Sequence, residues 1–193
     1  MPTPSLRPFR VKVTKAYRTL GERGLITHSS GNVSLRVGEA ILITPTGIPY
    51  YFLRPAQIVV IDKEGGVRGF GRPSSEWRVH VAVLRARPEV RAVVHTHSPY
   101  ATAVACSLPS LPVLHDEGRI FFGGEIPVAE HAPPGTWELA QRAVAALGKG
   151  RAILLSRHGV LTVGKTLDEA VFLAEKVEEA AQLFLLSRDW RGP

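Results

Sequence analysis

Residues 91–97, RAVVHTH, form an apolar run that ends in two histidines and is typical of a buried β-strand. Residues i and i+2 of a strand project from one face, so His95 and His97 are expected to share a space, with Val94 on the opposite side. A third histidine, His158, follows the apolar run 152–155. Three histidines around an open position are typical of catalytic zinc. The alternative is that they are strand-end residues hydrogen-bonded to the backbone.

The composition is that of one compact domain spanning residues 1–193. Apolar residues make up 45% of the chain and the mean hydropathy is near zero, which favours a globular protein with a sizeable core. No apolar run is long enough to span a bilayer, and the N-terminus lacks the apolar segment of a signal peptide. A single cysteine, Cys106, excludes an intrachain disulfide and is interpreted as a small core residue. We therefore expect a cytoplasmic protein.

The net charge of +7 raises the question of nucleic-acid binding. The arginines are scattered from Arg7 to Arg191 and form no stripe or dense block, which argues against nucleic acid as a partner. A basic balance suits a small anionic substrate equally well.

Strand and helix patterns alternate along the chain without a long linker or a repeat. The strand patterns include two hairpins, around Gly38-Glu39 and around residues 63–66. This alternation predicts an α/β domain with a mixed or antiparallel central sheet and helices on both sides. Helices are predicted over 9–25, 75–87, 100–107, 136–147 and 167–186, and strands over 33–37, 40–44, 58–61, 67–70, 91–96, 126–129, 152–155 and 160–163.

Three short loops rich in small and hydroxyl residues have the composition of an anion cradle. They are Ser30-Gly31-Asn32, Thr44-Pro45-Thr46-Gly47 and Pro73-Ser74-Ser75-Glu76. Glycine lets backbone N–H groups approach a ligand, and the third loop opens a helix whose first N–H groups favour a phosphate. Taken singly, each loop is better explained as a turn or a helix cap. Taken with the histidines, they favour a phosphorylated substrate.

Asn32 is the only asparagine of the chain. Arginine and proline are frequent, while asparagine, cysteine and methionine each occur once. This profile is typical of heat-adapted proteins, although genome composition produces the same bias. Because the chain keeps its single asparagine in the Ser30-Gly31-Asn32 loop, we expect the side-chain amide of Asn32 to be needed there.

Glu76 is placed in the first turn of the helix that Ser74 or Ser75 would cap. A glutamate there serves either the helix dipole or, beside a metal, as a base. His80, four residues later on the same helical face, is interpreted as a packing residue or a partner of a metal ligand. The lone histidines His28, His115 and His131 are interpreted as structural or solvent-facing.

The chain resembles the class II (zinc-dependent) aldolase/adducin family, and within it the L-fuculose-1-phosphate aldolase branch. The matching motifs occur in the family's order and are SGNVS at 30–34, ITPTGIPY at 43–50, PSSEWRVH at 73–80, VVHTH at 93–97 and HGV at 158–160. The resemblance implies a three-layer α/β/α sandwich around a largely antiparallel sheet. It also implies a homotetramer with active sites at subunit interfaces.

The resemblance also assigns roles to individual residues. His95, His97 and His158 match the zinc ligands, and Glu76 matches the glutamate that ligates the metal and acts as acid and base. The phosphate-binding positions match Gly31, Asn32, Thr46, Gly47, Ser74 and Ser75. The implied reaction is reversible cleavage of a ketose 1-phosphate to dihydroxyacetone phosphate and an aldehyde, through a metal-stabilised enediolate.

The segment around His115 departs from the family pattern. Fuculose-phosphate aldolases carry a tyrosine after the equivalent histidine, and that tyrosine protonates the aldehyde oxygen. Here Asp116 and Glu117 follow His115, and Glu117 is a candidate catalytic acid. The alternatives are a sugar-phosphate 4-epimerase, dehydratase or decarboxylase of the same family, and a non-catalytic adducin-like interaction module.

Overall fold

A computed structural model describes residues 5–188, which fold into six α-helices and eight β-strands. The helices are α1 Arg7–Glu22, α2 Trp77–Ala86, α3 Pro99–Ser107, α4 Asp116–Phe122, α5 Trp137–Leu147 and α6 Leu167–Arg188. The strands are β1 Asn32–Val37, β2 Ala40–Ile43, β3 Val59–Ile61, β4 Ala92–Thr96, β5 Ser110–Pro112, β6 Glu125–Ala129, β7 Ala152–Leu155 and β8 Gly159–Gly164.

The eight strands form one sheet in the order β3-β2-β1-β4-β8-β7-β6-β5. Every neighbouring pair is antiparallel except β6 and β7, which are parallel. Alternate side chains of one strand enter different cores: Val93 packs with α2 and α5, whereas Val94 packs with α1 and α6. The sheet is therefore covered on both faces, which confirms the predicted α/β/α sandwich with a largely antiparallel sheet.

The pairing of β4 with β8 brings the three histidines to one edge of the sheet. His95 lies opposite Leu161 and Thr96 lies opposite Val160. Because the strands are antiparallel, the end of β4 meets the beginning of β8, where His158 immediately precedes Gly159. His95 shares the face of Val93, and it therefore points toward α2.

The structure corrects several local predictions. Residues 67–70 form no strand; Val67 makes only an isolated bridge to Ile61, and Phe70 is 99% exposed. The backbone leaves the ladder there because Gly69 and Gly71 adopt φ values of 103° and 106°. Cys106 is exposed on α3 and is not a core residue.

The helix predicted over 75–87 begins later than expected. Neither Ser74 nor Ser75 is its N-cap; Glu76 holds that position and α2 starts at Trp77. The hydroxyl of Ser74 instead accepts from the backbone N–H of Glu76 at 3.3 Å, in a turn just before the helix. Glu76 therefore lies outside the helical repeat.

Two elements, β5 and α4, were not predicted from the sequence. Each is short, and α4 contains Gly118, which a pattern-based assignment treats as a break. Among residues 5–188, no helix is both long and apolar enough to cross a membrane.

Candidate metal centre

Four side chains from three parts of the chain converge at the junction of β4, β8 and α2. They are Glu76, His95, His97 and His158, and one ligand atom from each lies within 4.8 Å of the others. Glu76 precedes α2, the two histidines of the H-x-H run end β4, and His158 precedes β8. The structure thus brings together the four residues that the sequence singled out for a metal.

His95 is oriented by the neighbouring strand. Its Nδ1 lies 2.8 Å from the carbonyl oxygen of Val160, which can only accept, so Nδ1 carries the proton. When His95 is neutral, the Nε2 lone pair is then directed at the cluster. A histidine held through one nitrogen in this way is the usual arrangement of a metal ligand.

Glu76 contacts two of the histidines. Its Oε2 lies 3.0 Å from His95 Nε2, and its Oε1 lies 3.1 Å from His158 Nε2. Burial acts to raise the pKa of Glu76, but the positive charge of a protonated His95 and its hydrogen bond, with a further hydrogen bond from Asn32, lower it below its usual range. Glu76 is therefore ionised and supplies a buried negative charge.

The two more open histidines are held neutral. Burial, reinforced by positive charge on His95, lowers the pKa of His97 and of His158 to about 4. Burial also acts to lower the pKa of His95, but the charge of Glu76 overrides it and raises that pKa. Neutral imidazole is the form that binds a metal ion.

The donor set fits a zinc ion. His95 Nε2 and His97 Nε2 lie 2.9 Å apart, so without a proton between them two lone pairs face each other beside a carboxylate. A cation placed among three imidazole nitrogens and one carboxylate oxygen would relieve that repulsion and accept all four groups. Nitrogen and oxygen ligands of this kind are those that Zn²⁺ takes in catalytic sites.

The side chain of Asn32 points into this cluster. It is 3% exposed, and its Nδ2 donates to Glu76 Oε2 at 3.2 Å. Its Oδ1 is in short contact with Nε2 of His80, and Nδ1 of His80 lies 2.7 Å from the hydroxyl of Ser34. The sequence suggested that the Asn32 amide was needed. The hydrogen bonds that link it to His80 and Ser34 were missed.

The three predicted cradle loops lie side by side next to the cluster. Thr44, in the second loop, contacts segments of the other two. Its hydroxyl accepts from the N–H of Val33, just after the first loop, at 3.1 Å, and its carbonyl accepts from the N–H of Ser74, in the third loop, at 2.9 Å. Thr46 N donates to Arg72 O at 3.2 Å, which continues the contact. The structure therefore groups the segments that contain Gly31, Asn32, Thr46, Gly47, Ser74 and Ser75.

Gly31 shows why this approach needs glycine. Its φ is +66°, and a Cβ there would lie 2.6 Å from the carbonyl oxygen of His95. Any side chain would separate the first loop from the end of β4.

The Asp116–Glu117 segment lies apart from the cluster in this chain. Glu117, on α4, is 3.0 Å from Lys176 Nζ of α6, which also contacts Glu179 at 2.7 Å. His115, Glu117 and Glu179 form a second group with ligand atoms within 4.8 Å of one another. The ammonium of Lys176 already supplies the positive charge between those carboxylates, so this group is not interpreted as a metal site.

Comparison with known proteins identifies a family match over most of the chain. The family described as the class II aldolase and adducin N-terminal domain matches residues 11–185. A 5-methylthioribulose-1-phosphate/5-deoxyribulose-1-phosphate aldolase of Rhodospirillum rubrum is 43% identical over 169 residues, which are 88% of this chain and 76% of that one. An L-fuculose phosphate aldolase of Escherichia coli K12 is 43% identical over 162 residues, 84% and 75% of the two chains.

The fold agrees with that of solved relatives. The structure of an L-fuculose 1-phosphate aldolase superposes with a TM-score of 0.90 at 34% identity, over 95% of this chain and 88% of that one. The similarity thus extends to the whole sandwich.

Proposed function

The chain belongs to the class II aldolase and adducin family, and from that premise we propose that it is a zinc-dependent aldolase. It would cleave a ketose 1-phosphate reversibly to dihydroxyacetone phosphate and an aldehyde. The observation that carries the proposal is a buried Glu76 in contact with two of three converging histidines, directly beside three loops suited to a phosphate.

Glu76 is the group that moves the proton. Its Oε2 accepts from Asn32, whereas Oε1 accepts no hydrogen bond from residues 5–188. Oε1 is therefore the atom expected to take the C3 proton of dihydroxyacetone phosphate and to return it in the reverse direction. A positioned base of this kind contributes about a 10²- to 10⁴-fold rate increase.

The cradle loops hold the other end of the substrate. The N–H groups and hydroxyls around Gly31, Thr46, Gly47, Ser74 and Ser75 would bind the phosphate, and Asn32 would add backbone contacts because its amide is committed to Glu76. Fixing the phosphate places C3 within reach of Glu76. Binding energy at the phosphate is thus used to orient the reacting carbon toward the base.

His95, His97, His158 and Glu76 are the residues that would hold the zinc ion. When bound, the ion supplies a Lewis acid that polarises the substrate carbonyl. The chain's own contribution is to keep the two open histidines neutral and to fix His95 through Val160.

The proposed substrate is a ketose 1-phosphate. The proposal does not specify which aldehyde its cleavage releases. Two relatives of equal identity, 43%, are named for different sugars, fuculose phosphate and methylthioribulose or deoxyribulose phosphate. The names share a phosphorylated ketose, and the proposed phosphate-binding loops suit such a substrate. Glutamate at position 76 favours the aldolase over the epimerases, and retention of all three histidines argues against a non-catalytic adducin-like module.

The proton donor to the aldehyde is proposed to come from a neighbouring subunit of a homotetramer. Glu117 is the candidate, with Asp116 as the alternative. Both lie on α4 and neither belongs to the four-residue cluster of the same chain, which is why the proposal assigns them to a neighbouring subunit's site. The ion pair of Glu117 with Lys176 would have to open for Glu117 to act as an acid.

The proposal is tested by incubating the purified, zinc-loaded cytoplasmic enzyme with a panel of ketose phosphates and identifying the products. The panel should contain fuculose 1-phosphate, 5-deoxyribulose 1-phosphate and ribulose 5-phosphate. We expect dihydroxyacetone phosphate from one or more 1-phosphates. Conversion of ribulose 5-phosphate to its C4 epimer, with no dihydroxyacetone phosphate from any member, would replace the aldolase proposal with the epimerase.

A further inference from the structure

A row of buried polar side chains runs from the sheet to Glu76 through α2. Its members are Ser34, His80, Asn32 and Glu76, which are 0%, 0%, 3% and 7% exposed. Ser34 Oγ lies 2.7 Å from His80 Nδ1, His80 Nε2 contacts Asn32 Oδ1, and Asn32 Nδ2 lies 3.2 Å from Glu76 Oε2. Nothing in the proposed chemistry uses His80.

The chemistry of the groups fixes the direction of every hydrogen bond in this row. An ionised carboxylate can only accept, so the Asn32 NH₂ faces Glu76 and its Oδ1 faces His80. Oδ1 can only accept as well, so His80 Nε2 carries the proton. His80 is neutral, since burial lowers its pKa to about 3, and Nδ1 therefore accepts from the Ser34 hydroxyl.

The row also has rigid anchors. Ser34 and Asn32 are two residues apart on β1 and point to the same face, while His80 is held on the helix that Glu76 precedes. Asn32 pairs with His95 in the ladder between β1 and β4. The row therefore links β1, the strand paired with β4, to the carboxylate of Glu76, which contacts His95 of β4.

Glu76 holds the NH₂ end of the Asn32 amide, and His80 is the member that holds its oxygen end. Without a donor at Oδ1, the amide could rotate and direct its oxygen at the Glu76 carboxylate, where two acceptors repel each other. A buried acceptor without a donor is itself unfavourable.

We propose that His80 is a positioning residue: by donating from Nε2 to Asn32 Oδ1, it fixes the amide that holds Glu76 Oε2. Its consequence for catalysis rests on the proposed function, in which Glu76 is both base and ligand. Its consequence for metal binding rests only on Glu76 as a ligand.

The test compares two substitutions of similar character, His80→Gln and His80→Asn. A glutamine places its amide nitrogen near the position of Nε2 and can donate to Asn32. An asparagine reaches only the position of Nδ1 and loses that donor. The two variants share the loss of the ring and the introduction of an amide, so the difference between them reports on the donor.

We expect zinc affinity, measured by chelator competition, to fall by about 10- to 100-fold in His80→Asn, and by clearly less in His80→Gln. Exchange of the C3 proton of dihydroxyacetone phosphate with solvent should follow the same order, with KM changed far less than kcat. Equal losses in the two variants, or none in either, would overturn the proposal.

A second measurement is made on the wild-type protein and needs no variant to be active. In ¹⁵N NMR of the metal-free wild-type protein, His80 should be the neutral Nε2–H tautomer; His80→Gln, where it folds, confirms the assignment. An Nδ1–H tautomer or an imidazolium would refute the hydrogen-bond direction. If the wild-type protein neither cleaves a ketose phosphate nor exchanges the C3 proton, the proposed function fails, and zinc affinity and the tautomer still decide the role of His80.

Discussion

Gly159 is the residue at which one added methyl group should damage the metal centre most directly. It follows His158 and begins β8, next to the end of β4. A Cβ at this position would overlap the carbonyl oxygen of Thr96 and lie 3.2 Å from His97 Cδ2 and 3.3 Å from His95 Cε1. To reach van der Waals separation, the two strands must part locally by roughly 1 Å.

The size of the effect of Gly159→Ala follows from that displacement. Overpacking of this kind costs about 1–3 kcal/mol in the free energy of unfolding. Because all three histidines flank the strained contact, zinc affinity should also fall, by about 10- to 100-fold. Urea unfolding of the metal-free protein measures the first quantity, and chelator competition measures the second.

Gly124→Ala provides a matched control. A Cβ at Gly124 would meet no atom within 4 Å, and the position does not need the left-handed region. We expect its stability to stay within about 0.5 kcal/mol of the wild type or to rise slightly. The reasoning is refuted if Gly159→Ala matches the wild type in both unfolding and zinc affinity.

Three further predictions concern the cluster itself. His95→Ala and His158→Ala should lose stoichiometric zinc and activity while far-UV circular dichroism stays near that of the wild type; zinc retained in both variants by elemental analysis would contradict the ligand assignment. Glu76→Gln should slow solvent exchange of the C3 proton of dihydroxyacetone phosphate by about 10²- to 10⁴-fold, because an amide cannot accept that proton; exchange at the wild-type rate would exclude Glu76 as the base. In the metal-free protein, the pKa of His97 and of His158 is lowered from 6.5 to about 4, so between these values the unfolded state binds more protons than the folded state. The free energy of unfolding should therefore fall as the pH is lowered from 6.5 to 4, and urea titrations that show no decline in this window would contradict the burial of neutral imidazoles.

The convergence of the histidines was predictable in part because its signals are local. A two-residue period places His95 and His97 on one face of a strand, and an apolar run before His158 marks a second strand end. What the sequence left open was the pairing of β4 with β8, which depends on contacts between distant segments. The family resemblance predicted that His158 joins His95 and His97, because the family's motifs imply one common fold for all three segments.

The hydrogen-bond partners of His80 were not predictable, for a physical reason. Counting four residues from Glu76 assumes that both residues lie on one helix, but Glu76 is the N-cap of α2. His80 therefore faces Asn32 and Ser34, which come from a strand more than forty residues earlier. Similarly, the prediction of a strand at 67–70 was wrong because Gly69 and the following Gly71 adopt positive φ angles, which the apolar pattern does not reveal.

The pairing of β4 with β8 also has a consequence for biosynthesis. His97 and His158 are separated by about sixty residues, so the nascent chain must extend well past β4 before the third imidazole exists. At typical elongation rates of about 5–20 residues per second, the unfinished chain spends several seconds with an H-x-H pair that lacks its partner strand. The three histidines proposed to hold zinc consequently meet only late in synthesis, and helix α6 packs onto the sheet only after His158 has been made.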